Sequence, residues 1–234
     1  MKRILMLIIL LTVSILAADN QDDQLWQKAQ EIARANWNWV AGVIEIRVAA
    51  LDEDGEEMMP TDLMFSYELE DGEITGYYDG GKRMDSLVPE SDQMVQEMLK
   101  QDMTPDSASI FLNDGNWNLQ VTRTGIEKKI RKMNCVEFSY TCQQPDEDGM
   151  IIPVQGNIWL DSETGAPVYD EQSMQPPVDM VKGITNKITY NYKKGDWTVK
   201  SIESITSVEA MGQSMQMKNK MDFKKYWRYK PEGF

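Results

Sequence analysis

Histidine is absent from the 234 residues, cysteine occurs only twice, and no apolar run beyond the first twenty residues approaches the length of a membrane span. Without imidazole there is no serine–histidine or cysteine–histidine catalysis and no histidine metal site. Nothing unperturbed then titrates between about pH 5 and 8 except the α-amino group. What remains for an enzyme is carboxylate chemistry, and the 38 Asp and Glu offer too many pairs to choose between. The expectation is a protein that is not an enzyme, with no cofactor and no metal.

Two cysteines are too few for a disulfide-stapled miniprotein. In C-V-E-F-S-Y-T-C the residues between Cys135 and Cys142 alternate in polarity, so on a strand Cys142 shares a face with Val136, Phe138 and Tyr140 while Cys135 takes the other. Seven steps of about 3.3 Å place the sulfurs roughly 20 Å apart, out of bridging range. Both thiols are expected free.

What is present begins with M-K-R-I-L-M-L-I-I-L-L-T-V-S-I-L-A-A: a basic start, an apolar run from Ile4 to Leu16 and a small-residue end. This is the layout of a secretory signal peptide over 1–18, and it is too short to span a bilayer comfortably. No cysteine follows it to carry a lipid anchor. The expectation is a periplasmic, soluble protein with one domain over 19–234. The net charge of −14 becomes about −16 without Lys2 and Arg3, which repels phosphate backbones and anionic headgroups, so nucleic acid is not an expected partner.

Residues 21–36 carry Leu25, Trp26, Ala29, Ile32 and Ala33 at helical spacing. The period changes at Trp37, where a β-branched run to Leu51 reads as a first strand. Asp-Gly pairs at 54/55, 71/72, 79/80, 114/115 and 148/149 then punctuate strand-like runs. These runs cover 62–69, 73–78, 117–123, 126–142 (one strand with a bulge), 154–160, 167–172, 184–192, 197–210 and 214–226. Short loops make the order an antiparallel meander, and about nine to eleven strands are too many for a flat sheet. A second helix is expected at 89–101, with Met94, Val95, Met98 and Leu99 on one stripe, and a short third at Asp179–Lys182. The predicted fold is mainly β (α+β): a strongly curved antiparallel half-barrel with two or three helices on its concave side.

D-E-D-G at 52–55 and 146–149 resembles the start of a calcium loop, but the sixth position from Asp52 is Glu57 rather than glycine, so both read as solvated turns. Seventeen methionines fit an adaptable apolar binding surface and a soft core equally well. Aromatics on the strands, among them Phe65, Tyr67, Phe138, Tyr140 and Tyr190, line either a packed core or a ligand cavity.

The second half carries a recognisable order: K-K-I-R-K-M-N-C-V-E-F-S-Y, then G-N-I-W-L-D-S-E-T-G-A-P-V, then I-T-Y-N-Y-K-K-G-D-W-T-V-K-S-I, closing with M-K-N-K-M-D-F-K-K-Y-W. It resembles the outer-membrane lipoprotein-sorting superfamily, the LolA-like fold, in which W-L-D-x-x-T-G-x-P hairpins and a terminal F-x-x-Y-W strand recur. By element order the likeness covers roughly residues 21–228. It implies helices over the mouth of a cupped sheet and an apolar cavity for lipid or lipoprotein acyl chains. The leading expectation is therefore a carrier or binder of such chains, with Met94, Met98 and Leu99 as lid and Phe65, Tyr67, Phe138, Tyr140, Ile188 and Tyr190 as wall. The alternative is an envelope sensor or scaffold that binds a protein partner on the same fold. A secreted carboxylate-dependent glycoside hydrolase stands third, on the acid excess and the tryptophans.

The strand assignment at 135–142 predicts that both thiols alkylate in denaturant without reductant. An intact mass two hydrogens short would contradict it.

Overall fold

The computed structural model describes residues 24–70, 73–80, 82–83, 110–111, 117–145, 150–176, 180–210 and 213–228. The signal-like leader, the helix expected at 89–101 and the turn at 146–149 lie outside these. Among the described residues the protein is mostly β, with one helix, α1 (24–36), against one open antiparallel sheet. Its strands are β1 (Trp39–Leu51), β2 (Glu57–Glu70), β3 (Glu73–Asp79), β4 (Lys82–Arg83), β5 (Gln120–Ile130), β6 (Met133–Pro145), β7 (Ile151–Asp161), β8 (Pro167–Met174), β9 (Val181–Lys193), β10 (Asp196–Ala210) and β11 (Gln213–Arg228). The spatial order is β4-β3-β2-β1-β11-β10-β9-β8-β7-β6-β5.

The expected single meander is corrected here. The sheet is two meanders joined where β11 returns beside β1, with twelve paired positions from Trp39↔Arg228 to Leu51↔Gln216. β4 and β5, consecutive in the chain, therefore form its opposite edges. Two local expectations are also overturned. Residues 126–142 are not one strand, since β5 turns back at Arg131 and Lys132 and Ile130 pairs with Met133. Arg131 takes φ +56° there without the glycine or asparagine that marks such turns. Val181 and Lys182 are not helical but open β9, where Val181 pairs with Val208; the ladder overrides the local polar pattern.

α1 lies along the sheet end where β5–β6, β7–β8 and β9–β10 turn. Leu25, Ala29 and Ala33, four residues apart, form its buried stripe, and the two alanines let its backbone sit close. The W-L-D-x-x-T-G-x-P segment builds the β7–β8 turn beneath it. Asp161 Oδ1 accepts the backbone N–H groups of Glu163 (2.8 Å) and Thr164 (3.2 Å). Gly165 adopts φ +77°, and a Cβ there would stand 2.7 Å from Lys28 Cβ, so the turn needs glycine both for its conformation and for the helix above it.

At the helix's other end, fully buried Asn36 makes four hydrogen bonds. Its Nδ2 donates to the carbonyls of Ile32 (2.8 Å) and Gly195 (3.1 Å). Its Oδ1 accepts from Trp39 Nε1 (2.9 Å) and the Trp197 backbone N–H (3.1 Å). Rings fill the space between helix and sheet: Trp26 meets Phe111 at 4.8 Å and Phe138 at 5.8 Å, and Tyr190 stacks on Trp197 at 4.7 Å. One buried cluster thus joins Val40 and Ile44 of β1 to Phe138 of β6, strands that would stand about 29 Å apart in a flat sheet, round a helix about 10 Å across. That is consistent with the curved half-barrel expected.

The cysteines lie on opposite faces of β6, unbridged and buried: Cys142 joins the main cluster, and Cys135 sits with Trp159 and Val168 behind it.

Asn36→Ala removes the partner of a main-chain N–H, an indole N–H and two carbonyls. It is expected to cost about 3 kcal/mol, read from the urea midpoint at unchanged slope.

Candidate binding face

Beyond the pairs Val136↔Leu160, Tyr190↔Val199 and Ile44↔Phe223 at the turns under α1, the register sorts the middle of the helix-bearing face into three rows that cross the sheet, because directly paired residues share a face. The first row is Phe138↔Ile158↔Asp170↔Ile188↔Ile202↔Met221↔Ile46↔Leu63. The next is Tyr140↔Gly156↔Gln172↔Asn186↔Ser204↔Asn219 and is polar across six strands. The third is Cys142↔Val154↔Met174↔Ile184↔Thr206↔Met217↔Ala50↔Met58 and is apolar but for one threonine.

Exposure rises along this face away from the helix. On β11, Phe223 is 6% exposed, Met221 and Asn219 are intermediate, Met217 is 43% and Met215 54%. Met58 and Leu63 on β2 are exposed as well. The same face is a packed core under α1 and, beyond the polar row on β11 and β2, an open methionine shelf, while Cys142 and Val154 at the other end of the third row are buried.

Asp170 is the one charged side chain in the apolar first row, and it is fully buried. Tyr140 Oη donates to it, 3.1 Å from both carboxylate oxygens, and Gln172 Nε2 donates to Oδ2 at 2.9 Å. Gly156 makes this possible: a Cβ there would lie 2.5 Å from the Tyr140 ring. Burial pushes the carboxyl from 3.8 up to about 7, against the hydrogen bonds from Gln172 and Tyr140, with nearby Glu171 adding to the rise. A group titrating near neutrality therefore exists in this histidine-free protein. Further along the polar row Ser204 Oγ donates to Asn186 Oδ1 (2.7 Å), whereas Asn219 Oδ1, shielded from solvent, accepts no hydrogen bond among the described residues.

Of the wall residues expected from sequence, Phe138, Tyr140, Ile188 and Tyr190 come together in one cluster, all buried against one another and the rings under α1. Phe65 and Tyr67 fall in β2, where Phe65 pairs with Ile44 and Tyr67 with Tyr77; only their backbone is described. Met94, Met98 and Leu99 lie outside the described residues. Sequence reasoning missed Asp170, Gln172 and Asn219, and Met217 entered only as one of many methionines. Each looks like an ordinary strand residue until its cross-strand partners are known.

Apart from the Cys135, Trp159 and Val168 cluster, the opposite face is mainly polar. Arg47 pairs with Glu57 (2.7 Å) and Asp62 (3.1 Å), and Lys218 with Glu57 (3.3 Å) and Glu203 (3.6 Å). Over β6–β9 it carries a hollow of about 500 Å³ that opens to solvent between Ser139, Thr141, Gln155, Asn157, Ser173 and Thr185. Asp52, first residue of the D-E-D-G turn, spends Oδ1 on the N–H groups of Asp54 (3.0 Å) and Glu56 (2.8 Å).

No family profile and no curated protein matches the chain. Two solved structures align over most of their length. One is the Pseudomonas aeruginosa MucA/MucB complex, at 9% identity and TM-score 0.26, covering 91% of this chain and 99% of that one. The other is MucB in complex with MucA(peri), at 7% identity and TM-score 0.22, covering 89% and 99%. Scores this low carry no inference, and the fold stands on its own strand pairing.

Asp170 sets a pH dependence of stability. Its folded pKa is raised, so the folded protein holds a proton that the unfolded chain has lost between about pH 4 and 7. Its contribution is most favourable below about pH 4, declines as pH rises to about 7 and is flat above. Relative to Asp170→Asn, the wild type should lose up to about 4 kcal/mol across that window, measured by urea titration at each pH.

Proposed function

We propose that the protein is an exported, non-catalytic binding domain that engages a protein partner on the methionine shelf of its helix-bearing face. Export rests on the leader over 1–18. The observation that carries the rest is Asn219 Oδ1, an unsatisfied acceptor in a polar row flanked by exposed Met217 and Met215. A polypeptide laid across the shelf offers apolar side chains to the methionines, which adapt to varied shapes, and an N–H to Asn219. An acyl chain offers only methylenes. It would leave that acceptor without the hydrogen bond, worth about 1 kcal/mol, that an N–H can give it. Its own gain of about 0.8 kcal/mol per methylene requires enclosure, and the space under α1 is occupied by Trp26, Phe111, Phe138 and Trp197. The LolA-like carrier reading is thus the second choice on the same surface.

Two substitutions separate the readings. Met217→Asp should leave the urea midpoint within about 0.5 kcal/mol of wild type, since the position is already half-exposed, yet abolish capture by a photo-crosslinker at position 215 in the native envelope. Asn219→Leu should weaken the polypeptide crosslink. Tighter binding of a fluorescent acyl probe by Asn219→Leu, with no polypeptide adduct, would establish the carrier reading instead.

A further inference from the structure

The chain is strongly acidic, yet its cations are unevenly placed. On β1 and β11 most sit against carboxylates: Arg47 with Glu57 and Asp62, Lys218 with Glu57 and Glu203, Lys220 with Asp222, Lys224 with Glu45. The β5–β6 hairpin differs. It places Lys128, Lys129, Arg131 and Lys132 within five residues, and none pairs with a carboxylate among the described residues. Lys128 Nζ is held over the Trp159 ring at 3.7 Å, and Arg131 Nη1 donates to the Tyr190 carbonyl at 3.1 Å. Both contacts fix the cation without neutralising it. Lys129 and Lys132 are exposed.

The hairpin also carries the sheet's edge, for β5 pairs only with β6 among the described residues. Lysine on an edge strand is a common guard against strand addition. That accounts for Lys128 and Lys129 but not for Arg131 and Lys132, which stand in the turn beyond the strand. We infer that the β5–β6 hairpin is a docking site for an acidic segment of a polypeptide, lying along β5 toward its turn. The site is separate from the methionine shelf and does not depend on it.

A planar anionic membrane fits less well. It would meet the whole end of the sheet at once, including the β7–β8 turn with Asp161 and Glu163, which lies within hydrogen-bonding reach of the hairpin: the Ser162 N–H donates to the Asn134 carbonyl. The acidic remainder of the molecule adds to that repulsion. A narrow chain tracking β5 meets the exposed Lys129 and Lys132 with Lys128 and Arg131 behind them, avoids those carboxylates, and passes Glu127 only where Arg123 pairs with it at 3.4 Å, while screening over about 8 Å at physiological salt shields it from the rest.

The full mature chain is titrated with fluorescein-labelled octaglutamate by anisotropy. Binding is expected, weakening steeply between about 0.05 and 0.5 M salt, and Lys129→Glu/Lys132→Glu should reduce it roughly tenfold or more. Both positions are exposed, so circular dichroism of the variant should match wild type. Met217→Asp should leave octaglutamate binding unchanged, which separates failure of this site from failure of the shelf. The inference is overturned if wild type does not bind octaglutamate, if the double variant binds as well as wild type, or if phosphatidylglycerol vesicles compete the peptide away and bind more tightly.

Discussion

The structure depends on one knot, the buried amide of Asn36. A helix laid across the ends of a sheet has no backbone bonds to it, and its last carbonyls need partners of their own. Asn36 answers both needs by joining the Ile32 carbonyl of α1 to the Gly195 carbonyl, the Trp197 N–H and the Trp39 indole. β1 begins within three residues of it. The direction in which the first strand leaves the helix is therefore set at the point where the helix is tied to the β9–β10 turn, and β11, antiparallel to β1, ends there with Arg228 opposite Trp39. The curl of the sheet around α1 follows from that shared anchor, with Trp197 Nε1 donating to the Pro167 carbonyl as a second tie toward β8.

What the sequence made legible was local. The leucine–alanine stripe of α1 and the alternation of Phe138, Tyr140 and Cys142 appear where those periods put them, and the W-L-D-x-x-T-G-x-P hairpin folds as its Asp and Gly demand. What it hid was non-local. No spacing in the chain announces that Asp170 faces Ile188 and Ile158, or that Tyr140 reaches over Gly156, because a one-residue change of register would send each side chain to the other face. The turn at Arg131 lacked every compositional mark of a turn and passed for strand. Phe138, Ile188 and Tyr190 were legible as apolar strand residues, but whether such residues wall a cavity or fill a core depends on the helix above them.

The sheet divides its labour along the strand direction. Rows one and two are held under α1 or hydrogen-bonded to each other, so stability concentrates at the helix end. The methionine row contributes little to it, and its exposure is tolerable because the other face is salt-bridged and the whole chain strongly charged, which keeps such a surface from associating without discrimination.

The polar row is what keeps the two halves distinct. At β6 and β7 the first and third rows already join in one buried cluster, but from β8 to β11 Gln172, Asn186, Ser204 and Asn219 stand between them. Burying a polar group without a partner costs about as much as a lost hydrogen bond, so each member of the row resists being covered by an apolar helix face. The row thus opposes a helix laid over that part of the sheet and leaves Asn219 Oδ1 as its one unpaired buried oxygen among the described residues.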